Sequence, residues 1–238
     1  MQNSSYLRQY SINTQKDVYN IDNLRCPDYA LHWNHEHNQY HWNRGHDYFL
    51  GNGENLMDNQ ELRHILSEKL NRGTLPNKII FCDLDGVLAD FEQGVYTLTR
   101  KYPSQLKSSN MWSMIHRSTD FFETLPWIEE GRQLWEQIKQ YDPIILTGIP
   151  NTPGAEEQKR VWCARELGPD IHVITCPSRE KPKYCVGQSI LIDDRMENIK
   201  AWKAKGGNCI FYNKRDIKEV IQKVHGYMNS EDGYRYSF

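Results

Sequence analysis

The chain has 238 residues, and its 29 Lys and Arg against 31 Asp and Glu leave a formal net charge of −2. This length predicts one or two domains. A near-neutral charge lacks the basic excess that is typical of dedicated nucleic-acid-binding proteins, so we do not expect nucleic acid as a partner. No apolar run is long enough for a membrane helix, so we expect no membrane partner either. The six cysteines form no C-x-x-C pair, which is typical of a reduced compartment, and we expect a cytoplasmic protein.

Residues 1–76 are polar and hold eleven asparagines and six of the nine histidines of the chain. This composition predicts a polar N-terminal extension with little core of its own. Within it, an apolar stripe predicts a helix over residues 58–71, with Asp58 or Asn59 as its N-cap. The stripe consists of Leu62, Ile65, Leu66 and Leu70.

Five histidines lie within fifteen residues of this extension, with Trp33, Tyr40 and Trp42 among them. They are His32, His35, His37, His41 and His46. Imidazoles at such spacing can bind Zn²⁺ or Cu²⁺, although the spacing matches no zinc module. The favoured interpretation is that the segment packs its aromatic side chains on the rest of the chain.

From residue 77 onward, short apolar runs alternate with helical patterns, which predicts an α/β domain over residues 77–238. Buried strands are predicted at residues 78–84, 143–148, 171–176, 189–193 and 208–213. Helices are predicted at residues 129–141, 154–167, 196–205 and 216–228. The expected architecture is a Rossmann-like, three-layer parallel sheet, which binds ligands at the carboxyl ends of its strands.

Two details of this domain bear on the site. The apolar positions of the helix at 154–167 are assigned to Val161, Ala164 and Leu167. Residues 91–126 contain no clear strand. An insertion of this length after the first strand predicts a small helical cap over the expected site.

Acidic residues follow two of the predicted strands. Asp83 and Asp85 end the first strand of the domain, and Asp193 and Asp194 end the fourth. Because side chains alternate along a strand, Asp83 and Asp85 share one side. Taken alone, the first pair is also compatible with an Asx turn on the surface. Four carboxylates at one edge repel each other, so a hard divalent metal with oxygen ligands is expected there.

A hydroxyl and a lysine are predicted at the same edge. Thr147 and Gly148 end the second strand, and Lys183 lies ten residues before Asp193. Lys181 is a rival for that lysine, and Lys183 is preferred. Carboxylates, Mg²⁺, a lysine and a threonine together suggest phosphoryl transfer.

The motifs DLDGV, LTG, a lysine and LIDDR, in this order, resemble the four motifs of the haloacid dehalogenase (HAD) superfamily of phosphatases. The resemblance covers about residues 77–228. The segment FFETLPWIEEGRQLWEQIKQY followed by ILTGIP is similar to the 5′(3′)-deoxyribonucleotidase branch, and so is the interval from Lys183 to Asp193.

The resemblance implies roles for individual residues. Asp83 is implied as the nucleophile that becomes an aspartyl phosphate, and Asp85 as the general acid and base. The implied phosphate-binding residues are Thr147, Gly148 and Lys183. The implied Mg²⁺ ligands are Asp83, the Asp85 carbonyl and Asp194, with Asp193 in support.

Aromatic residues of the predicted cap suggest the substrate. Phe91, Trp112 and Phe122 are candidates to stack on a nucleobase, and the alternative is that they form the core of the cap. The resulting hypothesis is a Mg²⁺-dependent nucleoside monophosphate phosphatase. Two alternatives stay open: a 3′-phosphatase of nucleic-acid ends, and a non-enzymatic binding platform that uses the N-terminal extension.

Overall fold

The computed structural model describes residues 59–73 and 78–230, together with four strands in the N-terminal part of the chain. The chain divides into two compact units, Met1–Leu75 and Pro76–Phe238. Among the described residues, no helix combines the length and the apolar character needed to cross a lipid bilayer.

The N-terminal unit contains an antiparallel sheet that the sequence analysis did not predict. Its strands, in spatial order, are β1 (Arg25–Cys26), β2 (Tyr29–Asn34), β3 (Gln39–Asn43) and β4 (Asp47–Asn52). The strand β2 has the sequence YALHWN, with large apolar residues at alternate positions, which is the period-two pattern of a strand. The general polarity of the segment masked this signal.

The histidine cluster falls only in part on these strands. His32 and His41 are Cα partners in the pairing of β2 with β3. His35, His37 and His46 lie outside the described residues, so the proposed metal binding by this cluster stays a hypothesis.

The predicted helix of this unit is confirmed as α1 (Gln60–Asn71). Asn59 is the N-cap, since its Oδ1 accepts a hydrogen bond from the Leu62 amide at 3.2 Å. Leu62, Ile65 and Leu66 are buried, as the apolar stripe predicts.

The second unit is an α/β fold built on a parallel sheet of five strands, which confirms the predicted fold class. The strands are β5 (Ile79–Cys82), β6 (Ile144–Gly148), β7 (Val173–Cys176), β8 (Ser189–Asp193) and β9 (Asn208–Phe211). Their spatial order is β7-β6-β5-β8-β9, and every neighbouring pair is parallel. Both faces are covered by helices, which explains the continuous apolar runs. The central strand β5 therefore ends between β6 and β8.

The helices around this sheet follow the predicted pattern. They are α4 (Glu129–Ile138), α5 (Ala155–Glu166), α6 (Met196–Ala204) and α7 (Ile217–Asn229), preceded in the insertion by α2 (Phe91–Thr99) and α3 (Ser108–Arg117). In α5 the predicted apolar face is wrong, because Ala164 is exposed while Trp162 and Cys163 are buried.

The first and last residues of the helical insertion are hydrogen-bonded to each other. The Asp90 amide donates to the Pro126 carbonyl at 2.8 Å, and the Ile128 amide donates to the Leu88 carbonyl at 2.7 Å. Asp90 also caps α2 by accepting from the Gln93 amide at 2.8 Å. This paired base holds the insertion beside the carboxyl end of β5.

Candidate active site

Asp83 is the first residue after β5, and it is buried. Its Oδ1 accepts a hydrogen bond from the Leu84 amide at 2.8 Å. Its Oδ2 lies 2.8 Å from the Lys181 ammonium. These two contacts hold a buried carboxylate in one orientation, as a nucleophile requires.

Lys181, and not Lys183, is the lysine of this site. Lys181 is buried, and its Nζ lies 2.7 Å from Asp193 Oδ2 as well as beside Asp83. Lys183 is 66% exposed and pairs with Glu180 at 3.0 Å, so the prediction that it binds at this edge is wrong. Both lysines lie in a 3₁₀ helix, Ser178–Tyr184. With three residues per turn, side chains two positions apart point in different directions.

The charge of Lys181 is set by its partners. Burial by itself would lower the pKa of Lys181, but the carboxylates of Asp83 and Asp193 raise it above its ordinary value. The side chain is therefore a permanent cation at the end of the sheet.

Asp193 ends β8, and its oxygens are fully used within the chain. Besides Lys181, they accept from the Arg195 amide at 2.9 Å and from the Asn198 amide group at 2.9 and 3.0 Å. Such a carboxylate orients Lys181 and has little capacity left for a metal ion. The supporting role that the resemblance implies for it stays a prediction.

Asp194 differs from Asp193 because one of its oxygen atoms has no hydrogen-bond partner among the described residues. Its Oδ1 is buried and accepts no hydrogen bond from any described residue. Burial, followed by the charges of Asp83 and Asp193, raises the pKa of Asp194 to about 7. Gly86, in the left-handed region at φ +83°, makes room for it, since a Cβ there would lie 2.2 Å from Asp194 Oδ2.

These acids suit a divalent cation. Oxygen atoms of Asp83, Asp193 and Asp194 lie within 4.8 Å of one another, and an unpartnered buried carboxylate oxygen calls for a positive charge. Hard oxygen ligands are those that Mg²⁺ prefers. Asp83, Asp194 and the Asp85 carbonyl are the residues that could hold it.

Asp85 lies at the start of the loop after β5 and forms an ion pair with Lys159. Its other oxygen, Oδ1, is buried and has no hydrogen-bond partner among the described residues. Burial raises the pKa of Asp85 above its ordinary value, and the Lys159 ammonium opposes that rise. One oxygen of Asp85 is thus held by Lys159, while the other makes no hydrogen bond to a described residue.

Lys159, on α5, is a site residue that the sequence analysis missed. It is fully buried. Besides Asp85, its Nζ donates to Thr147 Oγ1 at 3.1 Å and to the Gly148 carbonyl at 2.6 Å. The available signal was a lysine within the helical stripe formed with Ala155, Trp162 and Cys163, where a buried charge needs a partner.

A cavity of about 630 Å³ lies at this end of the sheet, and Asp85, Gly86, Gly148 and Asp194 line it. The three predicted aromatic residues, Phe91, Trp112 and Phe122, line it as well. The ring centroids of Phe91 and Trp112 are 5.9 Å apart, and those of Phe91 and Phe122 are 6.4 Å apart. The insertion therefore adds an aromatic wall to the acidic end of the sheet.

No protein-family model matches the chain, and a search of curated proteins finds no relative. Similar solved structures include a hydrolase from Streptococcus pneumoniae TIGR4, at 14% identity over 61% of this chain and 97% of that chain, with a TM-score of 0.39. The L-2-haloacid dehalogenase from Xanthobacter autotrophicus matches at 10% identity over 56% and 76% of the two chains, with a TM-score of 0.39. A haloacid dehalogenase-like family hydrolase from Xanthomonas campestris matches at 12% identity over 63% and 91%, also with a TM-score of 0.39.

Proposed function

We propose that this chain is a Mg²⁺-dependent phosphomonoester hydrolase of the HAD type that acts on nucleoside monophosphates. One observation carries the proposal: Asp83 and Asp85 lie together at the end of β5, each paired with its own buried lysine. This arrangement provides a carboxylate nucleophile and a separate proton carrier at one cavity.

In the first step, an Asp83 oxygen attacks phosphorus, and the bond from phosphorus to the leaving oxygen breaks. Asp85 gives its proton to that oxygen, which departs as an alcohol. In the second step, Asp85 takes a proton from water while the water oxygen attacks phosphorus, which releases inorganic phosphate and restores Asp83. The raised pKa of Asp85 favours the protonated form that the first step needs.

Positive charge around the phosphoryl group comes from several sources. Lys181 contributes a fixed cation beside Asp83. Thr147 and the backbone of Gly148 end β6, which pairs with β5, and we assign them to the phosphoryl oxygens. Mg²⁺, when held by Asp83, Asp194 and the Asp85 carbonyl, neutralises charge on the phosphoryl oxygens.

The nucleoside part of the substrate is assigned to the aromatic wall. Phe91 and Trp112 are half-buried, so part of each ring is available to stack on a planar base, an interaction that every nucleobase can make. Phe122 is buried, and its ring packs against the ring of Phe91. The cavity of about 630 Å³ also reaches Asp85 and Asp194, and an Asp194 oxygen lies within 4.8 Å of an Asp83 oxygen, so the proposed substrate would place its base on this wall and its phosphate at that end.

The test is phosphate release by the full chain with a panel of substrates. The panel contains nucleoside 5′- and 3′-monophosphates, sugar phosphates and a 3′-phosphorylated oligonucleotide, each with Mg²⁺ and with EDTA. We expect the highest kcat/KM for a nucleoside monophosphate, no turnover with EDTA, and no turnover by Asp83→Asn with an unchanged melting curve. A preference for the oligonucleotide would favour the end-healing 3′-phosphatase, and no hydrolysis at all would favour the binding platform.

A further inference from the structure

The cavity contains a buried hydroxyl that the proposed chemistry does not use. Among the described residues, five buried side-chain nitrogen or oxygen atoms make no hydrogen bond, and three of them belong to residues that line this cavity. They are Asp85 Oδ1, Asp194 Oδ1 and the Tyr212 hydroxyl. The two carboxylate oxygens are explained by proton transfer and metal binding, whereas the Tyr212 hydroxyl is not.

Tyr212 is held next to the metal-binding acids by the backbone. It directly follows β9, and its amide donates to the Asp193 carbonyl at 2.8 Å. The side chain is only 3% exposed, so bulk water does not satisfy the hydroxyl. A polar group buried in this way lowers stability unless a ligand or an ordered water pairs with it.

The surroundings of the hydroxyl are acidic. Burial raises the pKa of Tyr212, and the charges of Glu130, Asp194 and Asp90 raise it further. Tyr212 therefore stays protonated and can donate a hydrogen bond. No described residue accepts a hydrogen bond from this hydroxyl. The Tyr212 hydroxyl and Asp194 Oδ1 are thus two unpartnered buried polar atoms of residues that line one cavity, and an ordered water can satisfy such atoms together.

We propose that Tyr212 is a positioning residue for the metal site: its hydroxyl donates to an ordered water that also bonds to Asp194, and this would orient Asp194 as a ligand of Mg²⁺. The inference rests on the proposed function, because it requires Mg²⁺ at Asp83 and Asp194. The hydroxyl fixes the water and the water orients Asp194, so Tyr212 acts on the ion without touching it. Outer partners of this kind change metal affinity by about 10- to 100-fold when they are removed.

The experiment measures Mg²⁺ binding to the full chain by isothermal titration calorimetry, with no substrate present. Tyr212→Phe removes one oxygen that has no partner in the described protein, so the fold is expected to persist. We expect its Kd for Mg²⁺ to rise about 10-fold. We also expect its melting temperature without Mg²⁺ to stay equal to the wild-type value or exceed it, because an unsatisfied buried group has been removed.

Tyr227→Phe is the matched control. Tyr227 is also fully buried, but its hydroxyl accepts from Asn208 at 3.4 Å and the residue is not part of the cavity wall. Its removal should leave the Kd for Mg²⁺ unchanged. A loss of affinity in both variants would indicate a general loss of packing and overturn the inference.

Two further outcomes separate the inference from the proposed function. If the wild-type chain binds Mg²⁺ and Tyr212→Phe binds it equally well, the inference is wrong while the proposed function stands. A change in KM without a change in the Kd for Mg²⁺ would assign the hydroxyl to the substrate and also overturn the inference. If the wild-type chain binds no Mg²⁺, the metal site of the proposed function fails, and the inference fails with it.

Discussion

Lys159 on α5 and Asp85 in the loop after β5 form an ion pair across 74 positions of the chain. The same ammonium donates to the Thr147 hydroxyl and to the Gly148 carbonyl. It therefore joins the acid at the end of β5 to the residues at the end of β6. A fully buried cation with three oxygen partners sets both the position and the proton affinity of Asp85.

Replacing Lys159 by Met should change the pH dependence of the reaction. Without the ammonium, only the smaller effect of Lys181 opposes burial, and the pKa of Asp85 rises further. Because Asp85 must ionise to act as a base in the second step, the pH at which kcat rises should move upward. The kcat at pH 7 should fall about 10-fold or more, within the usual range for general acid–base catalysis. Steady-state kinetics between pH 5 and 9 measure both effects.

Lys139→Met is the control for that variant, since Lys139 is an exposed lysine paired with Glu136 at 2.6 Å. It should leave the pH profile unchanged. An unchanged profile in Lys159→Met as well would contradict the assigned role of the ion pair.

Lys181→Met and Lys183→Met form a matched pair of variants two positions apart. Removing Lys181 leaves Asp83 and Asp193 buried without their cation, which should cost about 3–5 kcal/mol of stability and nearly all activity. Lys183 is exposed and bridges only to Glu180, so its loss should change the free energy of unfolding by less than about 1 kcal/mol. Urea denaturation and the rate of phosphate release compare the two variants. If Lys183→Met is inactive but has normal stability, Lys183 belongs to the active site after all.

The stability of the metal-free protein should fall as the pH rises from 5 to 8. Asp194 has a folded-state pKa of about 7, above the ordinary value, so the native state binds more protons than the unfolded state in this window. The contribution of this group is present at low pH and is lost as the pH rises through 7, by about 2 kcal/mol. Thermal melting of metal-free protein at both pH values measures the fall.

Two comparisons test the origin of that pH dependence. The fall should be smaller in Asp194→Asn, whose amide does not titrate. Added Mg²⁺ should raise the melting temperature more at pH 8 than at pH 5, because protonated carboxyl groups bind metal poorly. Metal-free stability that is level or increases with pH would contradict the assignment.

Phe91→Leu should weaken binding of the base without changing binding of the phosphate. The substitution keeps an apolar side chain but removes the ring, so the KM for a nucleoside monophosphate should rise about 5- to 100-fold, in line with the 1–3 kcal/mol typical of base stacking. The KM for a small phosphomonoester without a base, such as glycerol phosphate, should stay the same. Equal changes for both substrates would indicate that Phe91 supports the insertion and does not contact the base.

The sheet and its acids could be predicted because they depend on local patterns. A continuous apolar run followed by Asp indicates a buried parallel strand and its end, and five such runs are confirmed as β5 to β9. Since parallel strands end at one edge, the structure places Asp83, Asp85, Thr147, Asp193 and Asp194 together as expected. Their catalytic and metal-binding roles remain predictions.

The lysines could not be assigned in the same way. Lys181 and Lys183 are the same residue type two positions apart, so the sequence does not show which of them contacts Asp83. The turn of a 3₁₀ helix decides it in favour of Lys181. Lys159 comes from a helix whose buried face was misassigned, so its approach to Asp85 depends on how α5 packs against the sheet. The N-terminal strands β1 to β4 were not predicted because their apolar residues alternate only weakly. The polar composition of the segment outweighed that signal.

The sequence by itself therefore determined the fold class, the carboxylates and the edge of the sheet at which they meet, because strand periodicity places side chains without knowledge of distant contacts. Only the tertiary structure decided which cations neutralise those carboxylates and which buried oxygens are left without a partner. The physical reason is that a buried charge must be paired. Here the pairs join separate segments of the chain, Lys159 to Asp85 and Lys181 to both Asp83 and Asp193, and their meeting depends on packing.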